Sequence, residues 1–293
     1  MTALAALENA DMTTDRIAVR RRSVSRPLLY GALVLCALLT MLPFVWVISG
    51  SLRSLDEIRS DPGAWVPQHL TFDNFARLFT TEGFGRFLVN SVVVAVMVVA
   101  GNIVAASAAG YALAKLDFAG RRIAFAAVMG AMMMPLTSVF VTQFVITVDL
   151  GLADTLTGVA LPSVALPLSV FIMRQYAMSI PDELLEAARI DGAGEFRIFF
   201  GIFLPLAGPA VATITIMSFL SSWNNFLWPL IVAQSMSSYT LPVGLAATSQ
   251  AAAHVTDYGL LLAGAIVVML PVLVLFLFLQ RYFVQGVAGT GMR

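Results

Sequence analysis

The chain has 293 residues, 59% of them hydrophobic and only 12% charged, against about 45–50% apolar and about 25% charged for a water-soluble domain. With a mean hydropathy of +0.88, a membrane protein is the default reading. Net charge is zero, so the broad basic surface that nucleic-acid binding needs is missing, and the single cysteine, Cys36, rules out an intramolecular disulfide or a cysteine-based metal site.

Residues 1–26 read as a cytoplasmic tail carrying Arg16, Arg20, Arg21, Arg22 and Arg26. The apolar run Pro27 to Leu52 is longer than a signal core and lacks an Ala-x-Ala cleavage site, so it is predicted to be an uncleaved first span. Residues 51–85, with Pro62-Gly63, Pro67 and several aromatics, are expected to form a small ordered external loop. Further runs follow at Phe87 to Ala114, Ile123 to Val148, Thr155 to Met173, Ile198 to Gln234 and Tyr258 to Gln280. About 20 helical residues cross roughly 30 Å of hydrocarbon, which gives six spans.

The fifth run, residues 198–234, would reach about 55 Å as helix at 1.5 Å per residue. Its beginning is therefore predicted to lie along the membrane surface, with the span itself at Leu206 to Pro229. The tails and the loops Lys115 to Arg122 and Arg174 to Arg197 hold 13 of the 17 Lys and Arg, so the positive-inside rule puts both termini in the cytoplasm. His69 and His254 are far apart in polar segments and read as loop histidines. No internal repeat or second domain is evident.

One segment departs from this apolar background: seven ionisable residues lie between Asp182 and Arg197. Each would cost about 2.5–3.5 kcal/mol at a bilayer centre, so the segment belongs in water. Ser179-Ile180-Pro181-Asp182 resembles a capping box that opens a helix. On that helix Leu184, Ala188 and Asp191 share one face and Glu186, Ala187 and Ile190 another. Small Ala187 and Ala188 admit close approach, while Gly192 and Gly194 break the helix by taking positive φ. Phe196, Ile198, Phe199, Phe200, Ile202 and Phe203 then form an apolar set before Pro205. Taken by itself, the segment reads equally well as a solvated connector.

Its pattern also resembles a known one. Glu186-Ala187-Ala188, then Gly192, then Ile202-x-Leu204-Pro205 is similar in spacing to the EAA loop of ATP-binding-cassette (ABC) importer permeases. Asn90-Ser91, AGYALAKLDFAGRR at 109–122, WNNFLWPL at 223–230, LPVGL at 241–245 and QRYFVQG resemble the sugar-importer branch, in particular the second permease of maltose-type systems. The likeness runs from about Pro27 to Gly286. It departs in the tail GVAGTGMR, where relatives often carry a lysine.

The resemblance implies an all-α membrane protein with the ABC importer permease fold in a bacterial inner membrane. A cytoplasmic tail at 1–26, a six-helix domain at 27–285 and a tail at 286–293 would make up the chain. A coupling helix at about 181–194 would dock on the ATPase through Glu186, Ala187, Ala188, Asp191 and Gly192. Implied partners are a second permease subunit in a heterodimer, an ABC ATPase dimer, an extracytoplasmic solute-binding protein and membrane lipid, with a small neutral carbohydrate as cargo. The loop Ser235 to Asp257, free of basic residues, would reach the binding protein.

A phosphate-cradling G-x-x-x-x-G-K-[ST] loop needs a lysine, and the sole lysine, Lys115, sits in AKLDFAG. This chain is thus expected to bind no cofactor itself, with ATP and Mg on the partner. Neither His-Glu-x-x-His nor Gly-x-Ser-x-Gly occurs, so an enzyme is not expected. The alternative is an ion-coupled secondary transporter of a neutral solute, but the predicted spans lack the intramembrane charges that such coupling uses. Neutral groups, among them Asn102, Ser107, Thr213, Thr215, Ser218 and Ser221, suit an uncharged polyhydroxy solute, although such residues often bond within or between helices instead. Trp223, Asn224 and Asn225 are the substrate-pathway candidates, since an aromatic beside two amides stacks on a sugar ring and bonds its hydroxyls. The competing role for Trp223 is an interfacial anchor.

Overall fold

The computed structural model describes residues 26–80, 83–251 and 257–289. Arg16, Arg20, Arg21, Arg22, His254 and the final four residues lie outside the described residues. All regular structure among the described residues is helical.

Helix α1 (Arg26–Ser51) contains Pro43. Its residues up to Trp46 form one unit and Val47 onward a second. Within the first unit the large apolar side chains, from Leu28 to Val45, are exposed.

The predicted external loop contains α2 (Leu55–Ser60) and α3 (Asp73–Thr80). Its irregular backbone is held by two buried polar side chains, as buried carbonyls require. Arg53, 2% exposed, donates from Nε to Glu57 Oε1 at 3.0 Å and from its terminal nitrogens to the carbonyls of Ala64, Glu57 and Asp61. Asn74 Nδ2 donates to the carbonyls of Ser51 and Arg53 at 2.9 and 2.8 Å.

Helix α4 (Phe84–Lys115) has 32 residues, about 48 Å at 1.5 Å per residue, and is the spine of the second unit. It buries Phe84, Phe87, Ser91, Val94, Val98, Asn102, Ala106, Gly110 and Leu113, the three- and four-residue steps of a helix face turned inward. Three bent pairs pack around it.

The first pair joins α5 (Arg121–Met133) to α6 (Phe140–Asp149) at 95°, across Pro135 and the tight turn Leu136–Val139. The second joins α7 (Leu156–Ala160) through the turn Leu161–Ser163 to α8 (Pro167–Ser179) at 44°. Proline withholds the backbone donors here, and Asn102 of α4 compensates. Its Nδ2 donates to the Ser163 carbonyl at 2.6 Å, and its Oδ1 accepts from Leu166 N at 2.8 Å. Helix α9 (Asp182–Ile190) comes next.

The third pair begins with α10 (Glu195–Ile198), a widened π turn (Phe199–Phe203) and α11 (Leu204–Leu206). It bends by 74° into α12 (Gly208–Trp223). Then come α13 (Leu227–Val232), α14 (Leu241–Ala251) and α15 (Tyr258–Gly289).

Three continuous helices are long and apolar enough to cross a membrane; the count is six when each bent pair is one span. The elements fall on the six predicted runs, with two differences of extent. The helix in the fifth run stops at Trp223 rather than Pro229, because the chain breaks at Asn224 before α13 starts at Leu227. At the other end, α15 continues to Gly289, past the predicted tail boundary at 286, since no proline or charged residue interrupts GVAG.

Close contact of α4 with α8 depends on a residue without a side chain. A Cβ at Gly110 would lie 2.7 Å from Met173 Cβ and 2.9 Å from Arg174 N. One core cluster, containing Tyr111, Met173, Leu185, Ile198 and Phe203, sits at the Lys115 end of α4. A second, with Phe84, Phe87, Trp223 and Leu241, sits at the Phe84 end.

Candidate functional site

At the Lys115 end, α9 projects as an elbow between α8 and α10. The predicted capping box does not form: Ser179 Oγ donates back to the Tyr176 carbonyl at 2.7 Å, and the residue before the helix is Pro181, which has no capping side chain. Lys115 secures this end instead. Its Nζ donates to Asp182 Oδ1 at 2.5 Å and to the Ile180 carbonyl at 2.6 Å. The lysine side chain is only 4% exposed while that of Asp182 is 73% exposed, so the cation sits inside the bundle and the anion at its surface. The hydrogen bond from Lys115 holds the Asp182 carboxyl below the usual aspartate range, and a carboxylate in the first turn also suits the helix dipole.

At its far end α9 is closed by a paired turn. Ala193 N donates to the Ala188 carbonyl at 2.9 Å and Gly192 N to that of Arg189 at 3.0 Å, the two bonds of a Schellman cap. Gly192 adopts φ +81 with open space around it, so the requirement for glycine comes from the backbone and not from crowding. Gly194, predicted to be a second left-handed breaker, has φ −72 and precedes α10.

The structure shows which face of α9 turns inward. Leu185, 1% exposed, points into the bundle together with half-buried Ala188, whereas Leu184 is half exposed. Glu186, Ala187, Ile190 and Asp191 face outward, with Ile190 at 86% exposure. The five predicted coupling residues therefore divide. Glu186 and Ala187 form a surface with Ile190, Ala188 seats the helix, and Asp191 with Gly192 turns the chain.

Glu195 closes the elbow. Its Oε2 accepts from Tyr111 Oη of α4 at 2.8 Å, and its Oε1 accepts from Arg189 Nε of α9 at 2.7 Å. The Tyr111 ring packs 5.3 Å from Phe199 and 4.8 Å from Phe203, fixing the π turn against α4. These ties were not anticipated from sequence, although Tyr111 and Lys115 are four residues apart and so share a helix face.

The three substrate-pathway candidates are not brought together. Trp223 is 1% exposed, donates from Nε1 to the Val268 carbonyl at 2.9 Å, and stacks on Phe219 at 5.3 Å. In this arrangement neither face of the ring is open to a solute. Asn224 is exposed and donates to the Leu220 carbonyl at 3.0 Å; Asn225 is half-buried. Thr213, Met217, Ser221 and Asn224 are all exposed and share one face of α12 by their spacing. Thr213 and Thr215 hydroxyls bond the carbonyls of Pro209 and Val211, the back-bonding usual in apolar helices.

At the opposite end, Asp154 (φ 57) joins two loops. It accepts from Gln234 N at 2.8 Å, from Ser235 N at 3.0 Å and from Ser238 Oγ. Asn90 Nδ2 donates to the carbonyls of Ser237 and Tyr239, both at 2.9 Å, and Ser91 Oγ accepts from Leu241 N at 2.7 Å.

Among the described residues, a helical apolar bundle with broken spans and a polar elbow between the second and third bent pairs has the make-up of a multi-pass membrane protein. The chain belongs to the family described as binding-protein-dependent transport system inner membrane component, which matches residues 18–289. It is 39% identical over 260 residues to the arabinooligosaccharides transport system permease protein AraQ of Halalkalibacterium halodurans, covering 88% of this chain and 92% of that one. It is 33% identical over 264 residues to the diacetylchitobiose uptake system permease protein NgcG of Streptomyces coelicolor, covering 89% and 87%. Among solved structures, a chain of a bacterial ABC transporter involved in import of the acidic polysaccharide alginate superposes with a TM-score of 0.78 at 25% identity, covering 88% of this chain and 94% of that one. Family membership sets aside the ion-coupled alternative.

Proposed function

We propose that this chain is one of two transmembrane subunits of a binding-protein-dependent ABC importer that carries a small, uncharged carbohydrate across a bacterial inner membrane. ATP and Mg reside on a separate ATPase dimer, a second permease completes the pathway, and both termini lie in the cytoplasm. The names of the oligosaccharide permeases it resembles support a carbohydrate cargo. Its neutral amides and hydroxyls favour an uncharged one, in contrast to the acidic polysaccharide of the alginate importer. The exposed Thr213–Asn224 face of α12 is the better candidate for the pathway than Trp223. Of the segment from Ser235 to Asp257, the turn ahead of α14, which Asp154 holds, faces the binding protein.

The observation that carries the reading is the elbow: α9 exposes Glu186, Ala187 and Ile190 while its own ends are tied to α4. A motor that closes on that surface displaces a helix joined to the spine at Lys115 directly and, through Arg189 and Glu195, at Tyr111. The push therefore becomes a tilt of the bundle, which is the two-state coupling an alternating-access importer needs. Cysteine placed at Ala187, in a chain whose Cys36 is replaced by serine, should crosslink the ATPase subunit in membranes. Capture of the solute-binding protein by that same cysteine instead would reverse the topology and overturn the reading.

A further inference from the structure

Beside the elbow, where α4 ends and α5 begins, lies a cavity of about 670 Å³, within the usual range of ligand sites. Arg121, Arg122 and Arg174 line it against a single carboxylate, Asp117. Arg121 already pairs with Asp117, at 2.9 Å. Arg174 is fixed with its guanidinium 3.8 Å over the Phe125 ring and its Nε on the Leu113 carbonyl at 3.3 Å. Arg122, which is exposed, has no hydrogen-bonding or ionic partner among the described residues. The cavity thus presents two guanidiniums without a carboxylate partner, and planar guanidinium groups match phosphate oxygens.

The walls also show where the anion comes from. Phe118 and Ile123 line the same cavity and are 46% and 76% exposed, and α5 buries none of its residues in the chain. A basic recess therefore opens directly onto an uncovered apolar helix face. In a membrane protein that combination matches a lipid, whose phosphate and acyl chain are joined, and basic pockets between spans on the cytoplasmic side bind anionic headgroups. A free phosphate would use the arginines but leave the apolar face unmatched. The geometry points to a binding site for an anionic phospholipid, its phosphate between Arg122 and Arg174 and an acyl chain along the Ile123 side of α5. The site requires a bilayer, which the family supplies, and is independent of the cargo.

The test uses the assembled transporter purified from mixed phosphatidylglycerol and phosphatidylcholine membranes, with retained lipid measured by mass spectrometry through stepwise delipidation. Wild type should retain phosphatidylglycerol several-fold over phosphatidylcholine. Arg122→Gln, which breaks no internal bond, should abolish that preference, and Arg122→Lys should restore part of it. Arg174→Gln should act in the same direction. Undiminished preference in Arg122→Gln overturns the site. Equal retention of phosphatidylglycerol and phosphatidylcholine by wild type, together with binding of inorganic phosphate that Arg122→Gln abolishes, identifies a phosphate site and overturns the lipid assignment, and uptake measured on the same samples reports separately on the transport reading.

Discussion

The two ends of α4 are tied by different chemistry. Near Phe84, Asn90 and Ser91 make neutral hydrogen bonds to the backbone between Ser237 and Leu241, and both side chains are buried. Near Lys115 the ties are ionic and reach the surface: Lys115 to exposed Asp182, and Glu195 to half-exposed Arg189. Buried neutral bonds are costly to leave unmade; the Arg189–Glu195 pair, open to water, is weakened by salt and contributes modestly, while Lys115, itself buried, is costly to leave unpaired. One end is closed by neutral bonds inside the bundle; the other couples a buried cation to a carboxylate at the surface. That contrast fits a bundle whose motor acts at one end only.

The strongest way to break the contrast is to remove the spine that both ends share. Gly110→Val places a branched side chain where a Cβ alone already meets Met173 and the Arg174 backbone. Overpacking of this kind costs typically about 1–3 kcal/mol. Thermal unfolding in detergent should show the loss, and uptake should fall with it.

Next in size, Lys115→Met frees the elbow while leaving the other end intact. The Ile180 carbonyl loses its donor, and Asp182 loses the cation that lowers its pKa. Uptake per ATP hydrolysed should drop roughly 5-fold or more, the usual scale of an inter-site coupling, with membrane insertion unchanged. A proportionate fall in both activities would place Lys115 in folding rather than transmission.

Gly192→Val sharpens the comparison within the elbow itself. Nothing crowds the position, so its penalty is the left-handed backbone alone, about 1–2 kcal/mol. Gly192→Asn should be milder, since asparagine tolerates that conformation. Hydrogen exchange across 182–198 would rank the two variants.

The smallest effect is expected at the far end, from Asp154→Asn. Bonds from Ser238 and Ser235 hold the Asp154 carboxyl well below its ordinary value of 3.8. A depressed folded pKa means that the contribution is fully present above the unfolded value and is lost only as pH falls through the folded one. The protection factor of the Gln234–Leu241 turn, that is exchange corrected for its intrinsic pH dependence, should therefore be flat from neutral pH to about the ordinary carboxylate value and fall below it. The asparagine variant should exchange faster throughout and lose the acid-dependent step.

Membrane class and the six apolar runs were legible because hydropathy is a local property summed over about 20 residues. The bends were only partly legible. Pro135, Pro162 and Pro167 stand where the chain bends, yet a proline fixes neither the angle nor the side chain, here Asn102, that satisfies the freed backbone. The helix around Glu186 was legible, but which of its faces turns inward, here the one carrying Leu185, was left open, since a nine-residue helix offers too few apolar positions to define its phase. Lys115–Asp182 and Tyr111–Glu195 join residues 67 and 84 apart, and no local pattern encodes such pairs. The burial of Trp223 was not legible because its sequence neighbours, the two asparagines, are polar, while its spatial neighbours are Phe219 and the Val268 carbonyl.

The missing side chain at Gly110 also bears on how the molecule can flex. With no compressible layer between α4 and α8 at that point, the two helices cannot slide past each other and must swing as one rigid lever. Whatever compliance the transport cycle demands is then left to the bends that α4 does not clamp, at Ala207 and across Pro135, since Asn102 pins both sides of the kink between Ser163 and Leu166.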